Sequence, residues 1–232
     1  MHGVLHGSSL RSPAKRTFRS NRELYSRLGP RRHAIIGRLV GISERFRKAA
    51  AHSVGLRSGD RVLEVGCGDG RNFRYLREAV AEDGHVVGID FCPEMVVAAR
   101  ELCEHSGWTN VEVIEADAAT YRSSREFDVI YFGLSYNTFV NDAQRFKILR
   151  NLCAQVSGDG AFAIVDAAIP DTVFWQMLMP VIRPLVFKIF GADARIRPWR
   201  ELPAYLRSRG IRVEVMVRKM GKFNYACRIS LA

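Results

Sequence analysis

The chain reads as an α/β protein built on a largely parallel sheet, and three observations predict it. The apolar run Val62-Leu63-Glu64-Val65 empties into Gly66-Cys67-Gly68-Asp69-Gly70, a strand followed by a loop with no Cβ at alternate positions. An amphipathic stretch separates it from a second apolar run, Val86-Val87-Gly88-Ile89-Asp90, which completes a βαβ unit with acidic groups at the strand ends. Further apolar runs at residues 111–118, 127–133 and 161–167 keep the alternation going.

Taken in order, residues 1–22 form a Ser- and Arg-rich head whose composition predicts a disordered basic tail. Residues 23–57 change character: Leu24, Tyr25, Leu28, Ile35, Ile36, Leu39 and Val40 recur at intervals of three and four, the spacing of one or two amphipathic helices leading into the domain at 58–232. Phe73, Leu76 and Val80 share one face of a helix over 72–80, and Pro93 suits the first turn of another over 93–104. A helix over 141–156 is expected to stop at Ser157-Gly158-Asp159-Gly160, ahead of the strand at 161–167. Residues 211–217 and 223–231 alternate as strands around a basic turn at 219–222. Between these lies an apolar insertion at 170–200, where Pro180 and Pro184 predict two short broken helices, and where Arg183 and Lys188 interrupt a run too short for a membrane span.

Composition narrows the class. With 47% hydrophobic and 25% charged residues the 232-residue chain can bury a continuous core without disulfides. Five cysteines, odd in number and with no C-x-x-C pair, point to a reduced, cytoplasmic setting and to no zinc or other metal site. Residues 1–60 hold 13 Lys or Arg against Glu23, Glu44 and Asp60, so +10 of the net +11 sits in the head. That charge fits nucleic acid, anionic lipid or a solvated surface alike. The head also matches a mitochondrial transit peptide in composition, and it lacks the apolar region of a secretory signal. The glycine loop itself is no dinucleotide fingerprint, because Arg71 stands where G-x-G-x-x-G needs its third glycine, and no Gly-Lys-Ser/Thr occurs for a phosphate loop.

The ordered set Val-Leu-Glu-Val-Gly-Cys-Gly-Asp-Gly-Arg-Asn, Val86-Val87-Gly88-Ile89-Asp90, Val111-Glu112-Val113-Ile114-Glu115-Ala116-Asp117-Ala118 and Phe127-Asp128-Val129-Ile130-Tyr131-Phe132-Gly133 resembles the class I S-adenosylmethionine-dependent methyltransferases over roughly residues 58–168. The resemblance implies a Rossmann-like seven-stranded sheet ordered 3-2-1-4-5-7-6, its last strand antiparallel, with helices on both faces. It also implies S-adenosylmethionine as cofactor. Glu64 would then take a charge-assisted hydrogen bond from the cofactor's amino group. Gly66, Gly68 and Gly70 would lay bare backbone against it, and Asp90 would accept the ribose hydroxyls on both carboxylate oxygens. Asp117 and Ala118 would meet the adenine, with Phe91 and Met95 as apolar walls, and Cys67, Asn72 and Gly133 complete the cofactor set. The stretch Arg22-Glu23-Leu24-Tyr25-Ser26-Arg27-Leu28-Gly29-Pro30 is similar to the entry of ubiquinone- and menaquinone-type methyltransferases, which implies Tyr25 as part of a cofactor lid. Ser26 replaces the acid of that pattern, and His33 stands near its second Tyr.

By the crevice rule for open α/β sheets the acceptor arrives at the carboxyl end of the fourth strand, here Gly133-Leu134-Ser135-Tyr136-Asn137, which departs from the Asn/Asp-Pro-Pro-Tyr signature of many amino-group methylases. Tyr136 and Asn137 are therefore candidates for orienting the acceptor, and Asp166 or His33 for taking a proton. Insertions like 170–200 cover the substrate in this fold, so the expected acceptor is small and lipophilic, such as a quinone precursor, a lipid or a secondary metabolite. Arg183, Lys188, Arg195 and Arg197 add the expectation of peripheral membrane contact. An RNA or protein methyltransferase is the alternative within enzymes, weakened by the absence of an aromatic-and-basic RNA-binding module. A non-catalytic partner subunit is the alternative outside them. Oligomeric state stays open.

Overall fold

Strand residues here point alternately to two apolar layers, and that alternation builds the molecule. In the computed structural model, which describes residues 18–39, 42–139, 141–170, 172–193, 195–220 and 223–232, seven strands form one sheet ordered β3-β2-β1-β4-β5-β7-β6. These are β1 (Arg61–Val65), β2 (His85–Asp90), β3 (Val111–Glu115), β4 (Phe127–Gly133), β5 (Val156–Ala167), β6 (Val213–Lys219) and β7 (Asn224–Leu231). The first five run parallel, and β7 is antiparallel to both β5 and β6. Order and direction agree with the arrangement expected from the sequence.

Helices cover both faces. They are α1 (Phe18–Leu39), α2 (Glu44–Ser53), α3 (Phe73–Val80), α4 (Pro93–Ser106), α5 (Asp142–Cys153), α6 (Val173–Phe190) and α7 (Pro198–Arg207). On one face Val62, Val86, Val129, Tyr131 and Val165 pack against Ala50 of α2, Phe73 and Leu76 of α3 and Val96 of α4. On the other, Leu63, Val87, Ile130, Phe132 and Ile164 pack against Ile148 and Leu152 of α5 and Leu202 and Leu206 of α7. Successive strand residues thus serve opposite cores, as a two-residue repeat requires. Glu64 falls on the α2/α3 face.

Local chemistry sets the helix ends. Ser43 caps α2 through a hydrogen bond from the Phe46 N–H (3.2 Å), and Asn141 caps α5 by accepting from Gln144 N–H (3.1 Å). Gly107 closes α4 in the left-handed conformation. Asn72 occupies the cap of α3, yet its side chain makes no capping bond. It is engaged elsewhere, as described below.

Several boundaries depart from expectation. α1 opens at Phe18, inside the stretch assigned to the tail, and bends at Gly29 (φ 66°, ψ 163°) ahead of Pro30. Residues 1–17 lie outside the described residues. β5 begins at Val156 and absorbs the 157–160 turn, because Phe127 pairs with Val156 before the register slips to Val129 opposite Ala161. The intervening Gly158 and Gly160 let the strand bulge instead of ending. The insertion is one continuous helix, α6, in place of two short ones. Proline's fixed φ is itself helical, and Gln176 and Pro180, whose carbonyls lose their partners to Pro180 and Pro184, are exposed. α7 and the short 3-10 turn at Tyr136–Thr138 carry no signal that the sequence reading used.

Gly88, in the middle of β2, lies directly under Phe73, and a Cβ there would collide with the ring. Gly88→Ala is expected to lower stability by about 1–3 kcal/mol through overpacking. Urea unfolding of the two proteins measures it, and equal midpoints would mean that α3 floats on the sheet.

Candidate active site

Strand order reverses between β1 and β4, so the crevice beyond their carboxyl ends is where an open α/β sheet accepts ligands. The polypeptide there bends in ways most residues resist. Gly66 has φ +71°, and a Cβ on it would approach the Ser135 Cβ to 2.8 Å, so glycine is needed for both conformation and room. The loop is then tied down, with the Gly66 and Cys67 N–H groups both donating to the Ile89 carbonyl (2.8 and 3.1 Å) and Gly68 N–H donating to Asp90 Oδ2 (2.9 Å). Across the crevice Leu134 also has a positive φ (65°), unusual for a residue with a Cβ, at the end of β4. Ser135 Oγ donates to the Val65 carbonyl (2.5 Å) and stitches the two strand ends together.

Carboxylates ring this crevice. Asp90, at the end of β2, also accepts from the Cys92 N–H (2.9 Å) on Oδ1, and burial raises its pKa against the pull of those backbone donors. Asp117 follows β3 and accepts from the Ala119 N–H (2.8 Å). Glu64 is fully buried: Asn72 Nδ2 donates to its Oε1 (2.5 Å), while Oε2 has no partner among the described residues. Arg47 of α2 donates to Asn72 Oδ1 (2.7 Å), so a guanidinium reaches Glu64 through an amide. Burial outweighs that help and pushes the Glu64 pKa up to about 8. Asp166, on β5, accepts from the N–H groups of Asn137 (3.0 Å) and Ala167 (2.8 Å), and burial lifts it to about 7. Asn137 Nδ2 donates to the Ala167 carbonyl (2.5 Å), leaving its buried Oδ1 without a partner among the described residues.

These groups surround a cavity of about 380 Å³, whose far wall is apolar: Phe139, Ile169 and Phe223, with Trp175, Ile182, Val186 and Phe190 from α6. Tyr25 of α1 closes it from the side and donates its hydroxyl to the Phe190 carbonyl (2.9 Å), joining α1 to the end of α6.

The methyltransferase-domain family matches residues 62–160, the stretch that carries the glycine loop, Glu64, Asp90 and Asp117. That match, with the relatives and solved structures similar to this chain, supports a class I S-adenosylmethionine-dependent methyltransferase. Its cofactor is S-adenosylmethionine. The methyltransferase is 28% identical over 190 residues to the ubiquinone/menaquinone biosynthesis C-methyltransferase UbiE of Geobacter sp. (strain M21), covering 78% of each chain. It is 25% identical over 148 residues to the demethylmenaquinone methyltransferase of Listeria welshimeri, covering 63% of this chain and 61% of that one, less than two thirds of that relative's length. An S-adenosylmethionine-dependent methyltransferase from Aquifex aeolicus shares the fold, with a TM-score of 0.62 at 24% identity over 80% of this chain and 89% of that one.

Within the methyltransferase, Gly66, Cys67, Gly68, Asn72, Asp90, Phe91, Met95, Asp117, Ala118, Gly133 and Tyr25 all line the cavity, as do Asn137 and Asp166. Glu64 stands behind the wall, within 3.0 Å of where a Gly133 Cβ would sit, and Gly70 packs against Phe73. Tyr136 is a correction: its ring is fully buried and meets Phe132 edge-on (5.2 Å between centroids), so it belongs to the core and does not reach the cavity. The sequence placed it by position along the chain, but the 3-10 turn swings it inward. His33 lies on α1, and its side chain is outside the described residues. Leu134 and Ser135 line the cavity within the stretch 133–137 expected at the acceptor's end of the fourth strand, and Arg47 lines it without having been anticipated.

The Glu64 shift has a stability consequence. The unfolded chain ionises near 4.5 and the folded one near 8, so the folded state binds the extra proton between those values and loses stability as pH rises through that window. Glu64→Gln removes this loss. Between pH 6 and pH 8 the wild type is expected to lose on the order of 2 kcal/mol relative to the variant, and parallel pH dependences in thermal or urea unfolding would contradict the assignment.

Proposed function

We propose that this methyltransferase transfers the methyl group of S-adenosylmethionine to a small lipophilic acceptor, such as a quinone precursor, a lipid or a secondary metabolite. The observation that carries the reading is the apolar far wall: the cavity that begins at the glycine loop ends under Trp175, Ile182, Val186 and Phe190. A substrate that fills such a space sheds water from hydrocarbon surface, which favours aromatic or aliphatic acceptors over highly charged ones. The quinone-type substrates named for the Geobacter and Listeria relatives have that character. An RNA or protein acceptor would have to thread a reactive group past α6.

The residues divide the work. Backbone at Gly66 and Gly68, with Asn72, receives the amino-acid end of the cofactor, and Glu64 supplies negative charge from behind Asn72. The orphaned Oε2 of Glu64 fits this role, since a buried carboxylate oxygen gains most from a nearby cation. Asp90 keeps lone pairs for the ribose hydroxyls while holding Gly68 and Cys92. Asp117 and Ala118 face the adenine, and Phe91 and Met95 wall it. The cofactor supplies an activated methyl group on a sulfonium, so the protein's task is alignment and exclusion of water. The unpartnered Asn137 Oδ1 accepts a hydrogen bond from the acceptor's O–H or N–H, and Asp166, poised near neutrality, takes the proton.

Incubating the protein with methyl-labelled S-adenosylmethionine and a cell extract split into lipid, RNA and protein fractions tests the acceptor class. Label is expected in the lipid fraction, and label confined to RNA or protein would overturn the reading. Once an acceptor is in hand, the rate should rise through about pH 7 as Asp166 ionises. Asp166→Asn should slow transfer roughly 10²–10⁴-fold and flatten that rise. Asp90→Ala should weaken cofactor binding by about 1.5–3 kcal/mol, measured by calorimetry on folded protein.

A further inference from the structure

α6 presents two apolar faces, and the cavity uses only one. Val173, Phe174, Met177, Leu178, Val181 and Leu185 repeat at intervals of three and four on the other side, each between 37% and 76% exposed. No residue of the helix is buried, and, against the expectation of a run too short for a membrane span, its 18 continuous helical residues are long and apolar enough by length and composition to cross one. Its inner face lines the cavity, however, which keeps it lying along the domain surface. At 18 residues it presents a strip about 27 Å long.

Charge says what such a strip would meet. α6 contains Arg183 and Lys188 and no acid. A groove along its flank is lined by Arg183, Arg195, Arg197 and Arg200. Asp193 meets Arg195 at 2.9 Å and Arg183 at 3.4 Å, and the described lining of the groove holds four guanidiniums and no carboxylate. Pairing with a second copy about a two-fold axis would set this cationic fringe against itself. An anionic bilayer complements both features, taking the apolar strip among its acyl chains and the arginines on its phosphates.

We propose that α6 is an interfacial helix that seats the protein flat on an anionic phospholipid bilayer, with the arginine groove beside it engaging headgroup phosphates. This rests on the surface alone and holds whatever the methyl acceptor is. Its consequence for catalysis rests on the reading above: a lipophilic acceptor dissolved in the bilayer would meet the helix whose inner face roofs the cavity, with no passage through water.

Co-sedimentation of the full chain with phosphatidylglycerol–phosphatidylcholine vesicles, and with phosphatidylcholine vesicles alone, tests it. Binding is expected to the anionic vesicles, at least about tenfold weaker to the neutral ones and falling with added salt. The double variant Met177→Glu, Val181→Glu, changed only on the outer face, should partition at least about tenfold less while its melting temperature and its affinity for S-adenosylhomocysteine stay unchanged. Arg195→Gln with Arg200→Gln should lower binding to the anionic vesicles and leave the neutral ones unaffected. Equal partition of wild type and the Glu double variant, or no binding of the wild type to either vesicle, overturns the proposal. So does a wild-type dimer in sedimentation equilibrium that the Glu variant splits, which would make the strip a self-association surface. Vesicle binding is read without methyl transfer, so a wrong acceptor class leaves this result intact.

Discussion

One carboxylate holds the crevice together. Asp90 takes the Gly68 N–H on one oxygen and the Cys92 N–H on the other, so the end of β2 anchors both the glycine loop after β1 and the start of α4. Each contact is a charge-assisted bond in a buried setting, where leaving the donor unmet is costly. These bonds hold the left-handed glycines of the loop in place.

Two other buried carboxylates, Glu64 behind the cavity wall and Asp166 in its lining, differ in how they are supported. Among the described residues the favourable charge reaching Glu64 is Arg47, relayed through Asn72, so desolvation dominates and the proton is retained to about pH 8. Asp166 receives backbone N–H groups directly and stays nearer to neutrality, at about 7. The first environment suits a group that waits for a cationic ligand, the second a group that exchanges a proton during turnover. This division explains why Asn72, at the head of α3, gives up its capping bond: its side chain bridges Arg47 to Glu64.

The apolar end of the cavity comes from outside the core sheet. α6 packs on the rim by one face and leaves the other to its surroundings, and Tyr25 fastens its last turn to α1. The glycine-loop side and the α6 side of the cavity are thus separate pieces of chain.

The strand-and-loop motifs were legible from the residues because their signals are local. Alternating apolar residues choose strand faces, a glycine at Gly66 permits the turn, and acids at the strand ends must fall in the crevice of any parallel sheet. The sequence by itself therefore determined the sheet, its strand order through the family resemblance, and much of the cavity lining around the glycine loop. Tertiary structure decided what depends on direction and on distant partners. Arg47 reaches the site from α2 through an amide that no spacing rule foresees, and Tyr136 turns into the core although its neighbour Asn137 faces the cavity. The two prolines of α6 punctuate a helix they do not break, since its exposed surface tolerates the lost bonds. Periodicity reports that a residue has a face, and only packing in three dimensions says what that face meets.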